Sequence, residues 1–217
     1  ENNTVYTSVD GILYSKDKTI LEKFPCGRTG TFQIPEGVTS VKGFTNCKIG
    51  KIVIPEGVTM VGNFSGCKNL TELQIPDSVT DAEFFSVANC TNLEKIQISN
   101  GIKELDQFSF SGCSKLKEVI LPERLETIEQ YAFKDCVSLT EITFPEKLRI
   151  LRGNVFSGCT TLSKVTFTGS APYIDESAFE NVSAVCYYPK NNLSWTEDKM
   201  TNYRGNLTLA ILRSKRI

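Results

Sequence analysis

Leu116-Lys117-Glu118-Val119-Ile120-Leu121-Pro122-Glu123-Arg124-Leu125-Glu126-Thr127-Ile128-Glu129-Gln130-Tyr131-Ala132-Phe133-Lys134-Asp135-Cys136-Val137-Ser138-Leu139 carries the pattern that decides the fold. Its apolar set Leu116, Val119, Leu121, Leu125, Ile128, Phe133, Cys136 returns 23 residues later as Leu139, Ile142, Phe144, Leu148, Leu151, Phe156, Cys159. It stands 23 residues earlier as Leu93, Ile96, Ile98, Ile102, Leu105, Phe110, Cys113. Leu70, Leu73, Ile75, Val79, Ala82, Val87 and Cys90 form the unit before that. Two shorter units, Phe32 to Cys47 and Ile52 to Cys67, lack two residues before their Phe. A seventh keeps Leu162, Val165, Phe167, Ile174 and Phe179 but has Val182 in the cysteine slot.

A fixed period of about 20–29 residues is the mark of a solenoid. Within a unit, Val119-Ile120-Leu121 and its equivalents alternate in and out, as a short half-buried strand does. Pro35, Pro55, Pro76, Pro122 and Pro145 follow these strands, with Ser99 and Thr168 in the same slot elsewhere. Proline has no amide hydrogen and ends a ladder there. Tyr131-Ala132-Phe133-Lys134-Asp135-Cys136 suits one helical turn, with Phe133 and Cys136 on one face. One unit cannot bury its apolar side alone, and stacked neighbours make a continuous core. The expected architecture is α/β: a right-handed solenoid of about seven units, with short parallel strands on one side, short helical turns opposite, and caps at both ends.

Composition narrows the chemistry. The 217 residues carry 24 Lys+Arg against 25 Asp+Glu, a formal charge of −1, so no global attraction to nucleic acid exists. No apolar run reaches the roughly 18–20 residues of a membrane span, and no membrane insertion is expected. The absence of histidine removes Ser-His and Cys-His pairs and imidazole metal ligands. The eight cysteines contain no CxxC pair, and one per period cannot make a local metal knuckle. No metal, cofactor or catalytic residue is expected. Cys47 to Cys159 share one column and read as buried free thiols packing as small hydrophobes. Cys26 and Cys186 lie outside that column and are the exceptions to watch. The acidic sets Asp77, Asp81, Glu83 and Glu123, Glu126, Glu129 fall on coil turns, without the cleft that acid–base work needs.

The columns resemble the BspA-like type of bacterial leucine-rich repeat, whose unit is similar to L-x-x-[IV]-x-[IF]-P-x-x-[VIL]-x-x-[IL]-x-x-x-x-F-x-x-C-x-x-L. Leu116 to Leu139 match nearly every position, and the resemblance covers about residues 31–182. Val9-Asp10-Gly11-Ile12-Leu13-Tyr14 and Tyr187-Tyr188-Pro189 look like the family's end segments. The resemblance implies an exported scaffold, often part of a longer surface protein, with adhesion or partner binding. The start at Glu1, with no methionine and no signal segment, fits a mature exported chain. The whole chain, 1–217, is expected as a single leucine-rich-repeat domain: an N-terminal hairpin cap 1–30, repeats 31–182 and a C-terminal cap 183–217. Val5 to Tyr14 and Ile20 to Phe24 are expected as the cap's two strands. Val185 to Tyr188, Trp195 and Leu207 to Leu212 are expected to cover the other end. The basic end, Arg213 to Ile217, reads as a solvated tail.

Function must then sit on the surface. If the Ile/Leu/Phe columns point inward, one outward row is Lys51, Glu72, Lys95, Glu118, Glu141, Lys164. Beside it run Gln33, Val53, Gln74, Gln97, Ile120, Thr143, Thr166. At the strand spacing of about 4.8 Å both would be continuous ladders. These residues are the candidate binding face of a secreted or cell-surface monomer that takes a protein or glycan partner. The alternative is a structural spacer within a larger surface protein, with Lys–Glu pairs merely joining coils.

Overall fold

The computed structural model describes residues 3–82, 85–196 and 207–212. Three strands open the chain: β1 (Tyr6–Val9), β2 (Ile12–Ser15) and β3 (Ile20–Lys23). β1 and β2 form an antiparallel hairpin about Asp10-Gly11, whose φ angles of 49° and 75° are those of a tight hairpin turn. The stretch Val5 to Tyr14 is therefore two strands rather than one. β3 lies antiparallel to β2 and then parallel to the first repeat, which joins the hairpin to the stack.

The repeat strands form two rows. The first holds β4 (Thr31–Gln33), β6 (Lys51–Val53), β8 (Glu72–Gln74), β9 (Lys95–Gln97) and β11 (Glu118–Ile120). It resumes as β13 (Glu141–Phe144), β15 (Lys164–Phe167), β17 (Val185–Pro189) and β18 (Thr208–Leu212). The second row is made of two-residue strands: β5 (Ser40–Val41), β7 (Met60–Val61), β10 (Glu104–Leu105), β12 (Thr127–Ile128), β14 (Ile150–Leu151) and β16 (Tyr173–Ile174). Each row splits into two ladders, the first between β11 and β13, the second between β7 and β10. Proline acts as expected: Pro35, Pro55, Pro76, Pro122 and Pro145 end their strands, and their carbonyls accept from the amide three residues on. Ser99, in the same slot, makes the same bond from the Ile102 amide and also sends its hydroxyl to the Val79 carbonyl at 2.5 Å.

No helix occurs among the described residues, so the expected helical turns are corrected to non-helical turns. The backbone amides explain why. Ala132, Lys134 and Cys136 donate three residues back, to Glu129, Tyr131 and Phe133. The amides between them, on Tyr131, Phe133 and Asp135, donate to Gly153, Val155 and Ser157 of the next coil. An α-helix needs every amide for its own i−4 carbonyl, and here alternate amides are committed to the neighbour. Left-handed φ values of 59° at Tyr131 and at Asp135 enforce the break.

The inward columns make one continuous core. Phe110, Phe133, Phe156 and Phe179 stack in sequence, with centroids 4.9, 5.6 and 5.1 Å apart. In the third unit Val87 occupies the Phe slot, and Phe85 turns in to meet Phe64 and Phe110 edge-on at 6.3 and 6.1 Å. The column cysteines do more than fill space. Cys67, Cys90, Cys113, Cys136 and Cys159 each donate to a carbonyl of the preceding coil, on Phe44, Phe64, Val87, Phe110 and Phe133, at 3.0–3.3 Å. Burial pushes the Cys113 thiol up to about 12, which keeps the donating proton in place. At the far end Trp195 is buried against Phe167 and Tyr188, its indole N–H bonded to the Gly169 carbonyl at 3.0 Å. Val119, Leu121 and Phe32 are only half-buried, less than their columns imply. For Val119 and Leu121 the position is the break between β11 and β13.

The slot before each column position is left-handed: Asn46, Gly66, Asn89, Gly112, Asp135 and Gly158 before Cys47 to Cys159, and Asn181 before Val182. Asx and Gly alternate for a steric reason. A Cβ on Gly112 would lie 2.6 Å from Oδ1 of Asn89, and the Asn46–Gly66 and Asp135–Gly158 pairs are tighter still. Gly112→Ala should therefore cost about 1–3 kcal/mol, read as a lowered denaturation midpoint. Adding Asn89→Gly should return the part due to contact but not the part due to φ. A second expected outcome concerns Ser109, whose hydroxyl is buried without a hydrogen-bond partner. Ala132 and Ala178 hold the equivalent buried position in later coils. Ser109→Ala should leave stability unchanged or raised, because it removes an unsatisfied polar group.

Candidate binding surface

The outward strand positions are where the alternation puts them. Gln33, Lys51, Glu72, Gln74, Glu118, Ile120, Glu141, Thr143 and Lys164 are exposed, while Val53, Lys95 and Gln97 are half-buried. Thr166 is a correction: it is 8% exposed, held in register between Thr143 and Tyr187 of the last strands. The expected continuous ladder is also corrected, since the first row divides between Glu118 and Glu141. Like charges opposite one another in adjacent strands repel. Each carboxylate turns instead to the lysine on its other side, Glu118 to Lys95 at 2.9 Å and Glu141 to Lys164 at 2.7 Å. The hydrogen bonds they donate to these carboxylates raise both lysines above their ordinary value. All four side chains are about half solvent-exposed, and such pairs contribute little to stability.

The structure brings four of the candidate residues together. Lys51, Val53, Glu72 and Gln74 line a shallow depression of about 260 Å³ with Glu56 and Pro76. β6 and β8 are in register only at Lys51 and Glu72, and the strands separate beyond that pair. The remaining candidates are spread along the row.

A larger feature lies on the second row, at its break. Coils there differ in length: equivalent strand positions Thr31, Lys51, Glu72 and Lys95 are 20, 21 and 23 residues apart. Coils of unequal circumference cannot keep both rows in register. In the second row Asp81 meets Met60 only through an isolated bridge. The slack is an open cleft of about 920 Å³, large enough for a small ligand or a chain segment. Ala82, Phe85 and Ile102 give it an apolar floor, and Asn63, Ser86, Lys103, Glu104 and Gln107 a polar rim. The Glu104 carboxyl is raised above the ordinary carboxylate value, first by burial and then by the charges of Glu129 and Asp106.

In the next coils Phe108 and Tyr131 stack with centroids 5.1 Å apart and planes 3° from parallel. Phe108 is 41% exposed, and the Lys134 ammonium lies 5.7 Å from the Tyr131 centroid. Both residues are left-handed, with φ of 61° and 59°, which turns their rings out of the core. Sequence reasoning missed this pair and the cleft. The equal spacing of Phe85, Phe108 and Tyr131 was visible, but which rings point outward depends on backbone conformation.

The acidic sets have structural partners. Asp77 accepts from the Asn100 amide at 2.9 Å, and Glu126 and Glu129 pair with Arg149 and Arg152. Glu83 and the basic end lie outside the described residues. The raised Glu104 carboxyl carries a prediction. The folded chain holds that proton more tightly than the unfolded one, so stability falls as pH rises through the interval above the ordinary carboxylate value. Glu104→Gln should raise the melting temperature near pH 7, and the gain should vanish near pH 3, where both states are protonated. A lower melting temperature at neutral pH would contradict this placement.

Comparison with the curated proteins finds no match. Among solved structures the chain is 34% identical to a leucine-rich repeat protein from Eubacterium ventriosum, with TM-score 0.56, covering 72% of this chain and 50% of that one. It is 28% identical to a leucine rich cell surface protein from Faecalibacterium prausnitzii, with TM-score 0.55, covering 78% and 41%. The pneumococcal vaccine antigen PcpA is 18% identical with TM-score 0.65 over 99% of this chain and 49% of its own, a likeness of fold alone. The chain thus spans about half the length of these three structures or less. The BspA type Leucine rich repeat region matches residues 38–161 and 126–215, in six copies. With this coverage and the stacked coils described above, the chain belongs to the BspA-type leucine-rich repeat family, a scaffold of the bacterial surface-protein type.

Proposed function

We propose that this chain is a non-catalytic, surface-exposed binding module of the adhesion kind, acting as a monomer, and that its partner is a glycan. The carrying observation is the cleft at the change of coil length, with its apolar floor, amide and charged rim, and the stacked pair of exposed Phe108 and half-buried Tyr131 nearby. Sugars present apolar C–H faces and a fringe of hydroxyls. Aromatic faces take up the former, and Asn63, Gln107, Lys103 and Glu104 supply donors and acceptors for the latter. The strand face, with Lys51, Val53, Glu72 and Gln74 around a second depression, extends the contact surface. Location at the cell surface is supported by the description of the Faecalibacterium relative, and a place in a longer protein by the partial coverage of all three structures.

The paired charges along the strand face favour the second reading, a spacer that holds other domains away from the cell. The test is a screen of the purified chain on arrays of glycans and host-matrix proteins. A saturable glycan ligand whose affinity falls at least tenfold in Phe108→Ala and Lys103→Glu, with melting unchanged, supports the proposal. A protein ligand insensitive to these changes would move the site to the strand face. No saturable ligand would leave the spacer.

A further inference from the structure

Cys26 and Cys47 break the rule that the other column cysteines obey. Five thiols donate to a carbonyl of the preceding coil, the acceptor for Cys67 being Phe44. By the same step the acceptor for Cys47 is the Phe24 carbonyl, but the Cys26 thiol holds that carbonyl at 3.6 Å. The Thr45 carbonyl is 3.3 Å from the Cys26 sulfur and 3.9 Å from the Cys47 sulfur, so the shortest contact of Cys47 is the Cys26 sulfur itself, 2.9 Å away, inside the van der Waals separation of two sulfur atoms. The backbones are suitably placed: the Lys48 amide donates to the Cys26 carbonyl at 2.8 Å, so the segments run side by side at ladder distance. That spacing falls within the Cα separation of about 4.4–6.8 Å that a bridge requires. Access is also unequal. Cys26 is half-buried and open to small reagents, whereas Cys47 is buried.

We propose that Cys26 and Cys47 are an oxidation site, joined by a disulfide that fastens the N-terminal strands to the first repeat. The oxidant is a disulfide of the glutathione class or its protein counterpart, as found outside the reducing cytosol. The Cys26 thiol gives its proton to solvent, and the thiolate attacks one sulfur of that disulfide, releasing one thiolate and leaving a mixed disulfide. Cys47 loses its proton and attacks the Cys26 sulfur, forming the internal bond and expelling the second thiolate. The two released thiolates take up the two protons, and the oxidant has gained two electrons. The bridge closes the segment 26–47 over the cluster of Phe24, Phe32 and Phe44, whose centroids lie 4.7–6.2 Å apart. Cys67 and Cys90, and Cys136 and Cys159, also neighbour one another, but these thiols are fully buried, and only Cys26 is open to the oxidant, which confines the chemistry to its pair.

The experiment treats the folded chain with oxidised glutathione, then alkylates it in denaturant. Six of the eight cysteines should be alkylated, and proteolysis should yield a peptide joining Cys26 to Cys47. Oxidation should raise the melting temperature by about 5–10 °C. Cys26→Ser should alkylate at all seven remaining thiols and show no response to the oxidant. Eight alkylated thiols in the oxidised wild type, or a bridge between any other pair, would overturn the assignment. A wild type that melts identically in both redox states would overturn the fastening role.

Discussion

Every coil in this protein depends on the next to satisfy its backbone. In the turns, one amide in two is used locally and the other reaches across, as at Tyr131, Phe133 and Asp135. A buried amide without a partner is costly, so coils must stay in register and the stack must be closed at its ends. The other regularities serve that constraint. Left-handed residues recur where the chain must present an amide sideways. The cysteine thiols add a second donor to carbonyls that already accept a turn amide, as Val87 does from Cys90, and the Phe rings fix the spacing between coils.

Departures from register are where the molecule acquires features of its own. Coil lengths rise from 20 to 23 residues near the middle of the chain, and the second row of strands cannot follow. The resulting cleft combines an apolar floor with a polar rim, which a uniform stack of equal coils would not have. The first row breaks elsewhere, where Glu118 and Glu141 are neighbours of like charge. The N-terminal junction is a third departure, with Cys26 intruding on the hydrogen bond that belongs to Cys47. A rigid repeat thus concentrates its individuality in three small places.

The inward columns were legible because burial repeats with the period, and each column agreed over several units. The hairpin about Asp10-Gly11 was not read from the sequence, which took Val5 to Tyr14 as one strand, although an Asp-Gly step between alternating residues is a hairpin signal. The helical reading of Tyr131 to Cys136 failed because a spacing of three suits a helical face and a tight turn alike. What separates them is the destination of the amides, which lies 22 residues away. Thr166 has the same local pattern as Thr143, yet it is covered by a strand from the far end of the chain. Phe85, Phe108 and Tyr131 share a slot, but one ring is buried and the other two face outward.

The amino-acid sequence by itself determined the repeat, the inward and outward faces, the ends of the strands and the place of the cysteines in the core. Each of these is a local choice of apolar, polar or proline residue, read with a period. Only the tertiary structure decided the turn conformation, the two breaks in the rows, the cleft, the stacked aromatic pair and the approach of Cys26 to Cys47. These arise between coils, from mismatched lengths, like charges and competing acceptors, and no single unit contains the information.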